Sequence, residues 1–318
     1  MKAVVLGAGS WGTVFSRLLA DRGVEVTLAA HHEADARAIA DTGHNPRFSS
    51  GVDLDGVGTT TIVDAPVVDA DLVVVAVPSR AFRETVDALP GNAPVLSLTK
   101  GLDPGTGERL STLVRGRPVA VLSGPNMAEE VVAGLPGATV IASEDAAFAQ
   151  LLQETINSLV FRVYLNDDLI GVELCAAAKN VIALAAGAVD GLQLGDNAKA
   201  ALITRGLVEM ARLGEALGAD SETFFGLAGM GDLVVTCWHP SGRNRRAGQL
   251  IAQGESREQA LAEIGQTVEG LTTAPVLRDL SRRLGVEMPI TEGVCAVLEG
   301  RSLHLMADEL MGRRPRDE

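Results

Sequence analysis

The sequence predicts an α/β protein: a doubly wound, mostly parallel sheet in the N-terminal half, followed by an all-helical domain. Three features predict it. Short, continuous Val-, Leu- and Ala-rich runs alternate with amphipathic stretches through the first half. A glycine triplet directly follows the first run. Strand-like runs stop near residue 168, and long Ala/Leu-rich segments take over. The chain has 318 residues, and single cores stop growing near ~250–300 residues. Two domains are therefore expected, 1–168 and 169–318.

The elements follow in order. "KAVVLGAG" (2–9) reads as a buried strand. Its lysine and apolar start resemble a secretory leader, but the run meets glycine after a few residues. "SWGTVFSRLLADRG" (10–23) has helical spacing at Val14, Leu18 and Leu19, with Gly23 as the stop. "EVTLAA" (25–30) is the next strand, and "ADLVVVAVPS" (70–79) is another, ended by Pro78. Further strands are expected in 93–101, 118–126, 137–143 and 160–166, the later ones open to antiparallel pairing. Continuous apolar strands are buried on both faces, as in a parallel sheet between helical layers. Helices are expected over 197–218 and 273–285. The polar end, "MGRRPRDE", is expected to fray.

Composition narrows the function classes. Net charge is −14 and no basic stripe is visible, which disfavours a nucleic-acid partner. Aromatics are 3% of the chain, too few for base-stacking platforms. No uninterrupted apolar stretch approaches the ~20 residues of a membrane span. The three cysteines, Cys175, Cys237 and Cys295, are odd in number and widely spaced. They form no disulfide framework, which fits a reducing cytoplasm. Lysine occurs only at 2, 100, 179 and 199, so each buried or strand-end lysine invites an explanation.

Gly7, Gly9 and Gly12 form G-x-G-x-x-G between a strand and a helix, the context of a Rossmann-like dinucleotide site. Gly7 makes the tight turn, Gly9 lets backbone approach a pyrophosphate, and Gly12 allows close helix packing. The helix N-terminus then offers N–H groups and partial positive charge to phosphate. An acid that grips the ribose hydroxyls is expected about 20 residues on. Ala29 and Ala30 stand there instead, followed by His31 and His32. This leans toward NADP with NAD as the other option, Arg37 being a further cation nearby. Exposed loop histidines without a role are the competing reading.

Lys100 ends a strand in "LSLTKGL", at the edge where open sheets bind ligands; a merely solvated lysine is the alternative. Gly124 and Asn126 in "LSGPN" sit at another strand end. Lys179 lies in "CAAAKNVIALAAG", with Cys175, Ala176, Ile182 and Ala183 three and four positions away. Desolvation there lowers an amine's pKa, which suits general acid/base work. A snorkelling lysine or a structural ion pair is the competing reading. Asn180 beside it is placed to orient a substrate oxygen. Asp232, in "GLAGMGDLVVTC", either holds an ammonium or caps a helix. Arg243, in "SGRNRRAG", suits bidentate phosphate binding.

These motifs resemble NAD(P)-dependent glycerol-3-phosphate dehydrogenase of the bacterial type. The match runs in order along nearly the whole chain: "GAGSWGT", "TKG", "SGPNMA", "FRVY", "GVELCAAAKNVIALAAG", "ALITRGLVEM", "GLAGMGDLVVTC", "GRNRR" and "VEG". The resemblance implies that Lys179 exchanges the proton at the C2 oxygen of sn-glycerol 3-phosphate or dihydroxyacetone phosphate. It places Lys100, Gly124, Asn126 and Asp232 in the substrate site, with Arg243 and Asn244 near the substrate phosphate, where Gly242 offers its backbone N–H. It matches Ser10, Trp11, His31, Lys100, Ala128, Arg243 and Glu269 to cofactor contacts. It further implies a cytoplasmic homodimer supplying phospholipid synthesis, and a site in a cleft between the sheet edge and the helix of Lys179.

Three departures stand out. Asn126 replaces the family's Ser or Thr, Gly242 replaces the Ser before "RN", and Ser49-Ser50 replaces Leu-Pro. They bear on substrate affinity and identity rather than on reaction type. A related β-hydroxyacid dehydrogenase and a non-catalytic dinucleotide sensor are the alternatives.

Overall fold

The computed structural model describes residues 1–48 and 51–312. The Ser49-Ser50 departure and most of the polar C-terminal run lie outside the described residues. Contacts divide the chain into two compact units, residues 1–103 with 108–173, and 104–107 with 174–318.

The first unit alternates strands and helices: β1 (Lys2–Leu6), α1 (Ser10–Asp21), β2 (Glu25–Ala30), α2 (Glu33–Thr42), β3 (Gly58–Thr61), β4 (Leu72–Val75), α3 (Ser79–Asp87), β5 (Val95–Ser97), β6 (Val119–Ser123), α4 (Ala128–Val132), β7 (Gly137–Ala142), α5 (Ala146–Ile156) and β8 (Phe161–Asn166). They form one eight-stranded sheet, ordered β3-β2-β1-β4-β5-β6-β7-β8. Every pairing is parallel except β6 with β7. The strand expected at 70–79 is shorter, because Pro78 and the turn before α3 end its pairing at Val75. The sequence reading missed β3, whose "GTTT" lacks an apolar run; register with Thr27–Ala30 makes it a strand.

Both faces of the sheet are buried over its central strands, while the edge strands β3 and β8 are partly exposed. Ala3, Val5, Val74 and Leu96 pack on one side with Phe15 and Leu19 of α1 and Leu152 of α5. Val4, Leu6, Val73 and Val75 pack on the other with Phe82 and Val86 of α3. Alternate strand residues point to opposite faces, so continuous apolar runs were required. Gly23, at φ +77, turns the chain out of α1 into β2.

The helices that follow β8 are α6 (Leu169–Gly191), α7 (Asp196–Ala216), α8 (Ser221–Phe225), α9 (Asp232–Trp238), α10 (Arg243–Ala252), α11 (Arg257–Ile264), α12 (Glu269–Leu284), α13 (Pro289–Leu298) and α14 (Leu303–Met311). By length and mean hydropathy (1.7), α6 meets the test for a membrane span, where the sequence reading found no such stretch. That reading required an uninterrupted run, and Glu173, Lys179, Asn180 and Asp190 interrupt this one. In the fold, 89% of its apolar window is buried, as in a core helix.

Glycines let α6 touch α10 backbone to backbone. A Cβ on Gly187 would lie 1.8 Å from Arg245 O, and one on Gly248 would lie 1.9 Å from Leu184 O. The "AAG" and "RRAG" glycines are thus packing residues.

Glu209 of α7 caps the N-terminus of α13. It accepts from Ile290 N at 2.5 Å and from Thr291 N at 3.2 Å. Burial nonetheless pushes its carboxyl up to about 7. A folded-state value above the ordinary one means the fold binds this proton more tightly than the unfolded chain. That stabilisation is complete below about pH 4.5 and is lost as pH rises through 7, at most about 3 kcal/mol. Melting curves between pH 5 and 8 are expected to show Tm falling less steeply in Glu209→Gln than in the parent. Equal slopes would contradict this assignment.

Candidate active site

In the first unit, the residues of interest collect at the carboxyl ends of parallel strands. The loop 7–12 follows β1, where the strand order reverses direction between β2 and β4, and such points are where ligands bind open sheets. Gly7 has φ +113, and a Cβ there would lie 2.6 Å from Ala76 O. A Cβ on Gly12 would lie 2.0 Å from Gly7 O. Both glycines are demanded by the fold itself.

Gly9 differs: a Cβ there meets nothing within 4 Å. The protein's own packing therefore does not demand a glycine there. Ser10 starts α1, whose first turn carries no acidic residue. Trp11 packs on Phe15 and Phe161, each 6.1 Å away. Its buried Nε1 has no hydrogen-bond partner among the described residues. An open glycine, a helix start free of carboxylates and an orphaned donor together fit a dinucleotide. Gly9→Val is expected to keep the parent Tm within about 2 °C, yet weaken NADPH binding by fluorescence titration at least about tenfold. Unchanged NADPH affinity would remove the loop from the binding site.

Asn45 was not singled out from the sequence. It is 2% exposed. Its Nδ2 donates to Ala8 O at 2.9 Å and to Thr13 Oγ1 at 2.8 Å. Its Oδ1 accepts from Arg47 N and Phe48 N, each at 3.1 Å. "HNPRF" gives no periodic signal that would have exposed it.

His31 and His32 follow β2 and are exposed, their rings 4.6 Å apart and edge-on. Arg37 pairs with Glu33 at 2.5 Å on the exposed face of α2. Lys100, half-buried, follows β5. Its Nζ donates to Asn126 Oδ1 at 3.3 Å and to Gly124 O at 3.5 Å. Asn126 also donates to Thr139 Oγ1 at 3.1 Å. The structure thus brings Lys100, Gly124 and Asn126 together, and the Asn126 amide holds the lysine. A Ser or Thr there lacks the amide's reach. Ala128 begins α4 close by in sequence.

In the second unit, Lys179 of α6 is 5% exposed. Its Nζ lies 2.5 Å from Asp232 Oδ1 and donates to Thr236 Oγ1 at 2.9 Å. Thr236 donates in turn to Asp232 O at 2.6 Å. Of the two readings of Asp232, the structure adopts the salt bridge. An irregular turn, Leu227–Gly231, precedes Asp232 and sets the start of α9. Thr236 was missed, although its spacing of four from Asp232 puts both on one helix face.

Asn180, also 5% exposed, accepts from Asn244 Nδ2 at 2.9 Å. Asn244 Oδ1 then accepts from Gly270 N at 2.9 Å. These amides tie α6, the start of α10 and the start of α12 into one chain. Arg243 is the first residue of α10 and exposed, with Gly242 as its buried N-cap. Glu269 is the first residue of α12.

Lys199, passed over in the sequence, is equally dry at 4% exposed. It pairs with Asp190 Oδ2 at 2.8 Å and lies 4.9 Å from the Trp238 ring centroid. Arg245 Nε lies 2.6 Å from the same Asp190 oxygen, an ion pair off the N–H axis. Burial pushes the Cys237 thiol up to about 12, so it is no nucleophile at neutral pH.

Hydride exchange at an alcohol carbon asks for two things: a seat for a dinucleotide, and a dry, restrained group that carries a proton. The glycine loop fits the first and the dry, restrained amine of Lys179 fits the second, the pair of features expected of the nicotinamide-dependent dehydrogenase class. Sequence profiles of the N-terminal and C-terminal parts of NAD-dependent glycerol-3-phosphate dehydrogenase match residues 2–149 and 168–305. A glycerol-3-phosphate dehydrogenase [NAD(P)+] of Streptomyces coelicolor is 46% identical, covering 100% of this chain and 98% of the relative. One of Prosthecochloris aestuarii is 43% identical, with 100% of both chains covered. The crystal structure of glycerol-3-phosphate dehydrogenase from Coxiella burnetii matches with a TM-score of 0.94 and 38% identity, covering 98% of this chain and 99% of that one. The chain belongs to the NAD(P)-dependent glycerol-3-phosphate dehydrogenase family.

Proposed function

We propose that this protein interconverts dihydroxyacetone phosphate and sn-glycerol 3-phosphate using NADPH or NADH. The observation that carries the reading is the buried Lys179–Asp232 pair, 2.5 Å apart in a chain with four lysines. The bound nicotinamide supplies hydride exchange with C2. Lys179 Nζ gives a proton to the C2 oxygen on reduction and takes it back on oxidation. Asp232 and Thr236 hold that nitrogen in place. A fixed ammonium also stabilises the negative charge developing on the oxygen.

Arg243 takes the substrate phosphate as a bidentate partner, with the Gly242 and Asn244 backbone at the helix start beside it. Asn180 orients the substrate through its link to Asn244. Lys100, held by Gly124 and Asn126, contributes positive charge to substrate and cofactor. Gly7, Gly9, Ser10, Trp11 and Gly12 receive the dinucleotide, Ala128 and Glu269 contact it, and His31 and His32 favour a ribose phosphate where an acid would repel it. The residues 1–168 serve as the dinucleotide domain and 169–318 as the helical substrate and catalytic domain. The protein works as a cytoplasmic homodimer, without nucleic-acid or membrane partners, and its product feeds phospholipid synthesis.

The test is NAD(P)H absorbance decay with dihydroxyacetone phosphate, alongside dihydroxyacetone and a β-keto acid. Phosphorylated substrate is expected to win by at least about 10³-fold in kcat/KM. Equal rates with and without phosphate would remove the phosphate assignment, and preference for the keto acid would replace the substrate class.

A further inference from the structure

The Asn45 side chain uses all of its hydrogen-bonding capacity on the glycine loop and on its own turn. Two donors go to Ala8 O and Thr13 Oγ1, and the oxygen accepts from Arg47 N and Phe48 N. An amide offers two donors and one acceptor oxygen with two lone pairs, so its orientation is over-determined.

Ala8 O belongs to the same peptide unit as Gly9 N–H. That unit is planar and trans, so its C=O and N–H point in opposite directions. Holding Ala8 O against Asn45 therefore turns Gly9 N–H away from Asn45. No side chain crowds Gly9, since even an added Cβ would meet nothing within 4 Å. Thr13 sits on the first turns of α1, so the second donor fixes the loop against the helix that it opens.

We infer that Asn45 is a positioning residue for the dinucleotide: by fixing the Ala8–Gly9 peptide it presents the Gly9 N–H to an anionic phosphate. The inference rests on the dinucleotide reading of the loop. Ordering this N–H beforehand removes part of the cost of binding. A hydrogen bond to a charged oxygen is among the stronger ones, so misdirecting it is read mainly in affinity.

Asn45→Asp keeps size and the two acceptor bonds but cannot donate to Ala8 O; Asn45→Ala removes all four. Both are compared with the parent by NADPH fluorescence titration, steady-state kinetics and melting. Asn45→Asp is expected to raise the NADPH Kd and KM about tenfold. The kcat at saturating cofactor and the KM for dihydroxyacetone phosphate are expected to stay within about twofold. Combined with Gly9→Val, the Asp variant is expected to add no further loss, because both act on one peptide.

An unchanged NADPH Kd in Asn45→Asp, while Gly9→Val loses affinity, overturns the inference alone. Gly9→Val keeping parental affinity overturns the dinucleotide reading of the loop itself. Additive losses in the double variant also overturn the inference. So does a melt low enough that neither Asn45 variant is folded at the assay temperature, which would make Asn45 a stability residue only.

Discussion

Lys179→Ala is expected to lower kcat by about 10³-fold or more while leaving NADPH Kd within about threefold. General acid/base groups contribute roughly 10²–10⁴ in rate, and in the proposed reaction this amine also offsets charge on the reacting oxygen. Lys179 is on α6, far in sequence from the glycine loop, so dinucleotide affinity should survive. The variant takes the ammonium away from an Asp232 carboxylate that is 2% exposed, so assays belong well below its Tm. Single-turnover absorbance with saturating cofactor separates chemistry from binding. A kcat within about tenfold of the parent would take the proton-transfer role from this residue. A parent that binds NADPH and turns over neither substrate would be a sensor.

Asp232→Asn is expected to cost both stability and rate. Removing one partner of a buried ion pair leaves the other uncompensated, typically about 3–5 kcal/mol. Lys179 then keeps Thr236 but loses the Asp232 charge, and kcat/KM is expected to fall about 10²–10³-fold. Denaturant unfolding of a double variant discriminates the cause. Lys179→Met with Asp232→Leu removes both charges and is expected to recover most of the lost stability while staying inactive. If the double variant is less stable than Asp232→Asn, the destabilisation has another origin than the loss of this ion pair.

Much of the sheet was legible because its physics is local. Buried strands need continuous apolar runs, and 2–9, 25–30, 93–101, 118–126 and 137–143 supply them, while 160–166 forms an edge strand whose burial alternates. β3 was not legible, because Gly58–Thr61 is a strand only through register with β2. The glycine fingerprint was legible from spacing, yet the sequence does not distinguish its members. Gly7 and Gly12 answer to Ala76 and to the loop's own backbone, while Gly9 answers to neither. Lys179 and Asp232 were each visible as oddities of burial and context. Their pairing spans 53 residues of sequence, and no helical spacing encodes it.

The residues that hold the site were the least visible. Asn45 lies in an aperiodic loop, and Thr236 in an apolar helix where a threonine reads as neutral. Asn244 reads as a substrate residue, but its side chain links Asn180 to Gly270. Asn126 likewise spends its amide on Lys100 and Thr139.

By itself the sequence determined the layered sheet, the helical second half, the glycine loop and the apolar setting of Lys179, because each follows from periodicity, burial preference or a short spacing. The tertiary structure alone decided which carboxylate meets that ammonium, which amides brace the loop and the helix starts, and which glycines serve packing. Those outcomes depend on contacts between segments distant along the chain, where direction and distance, rather than residue type, set the interaction.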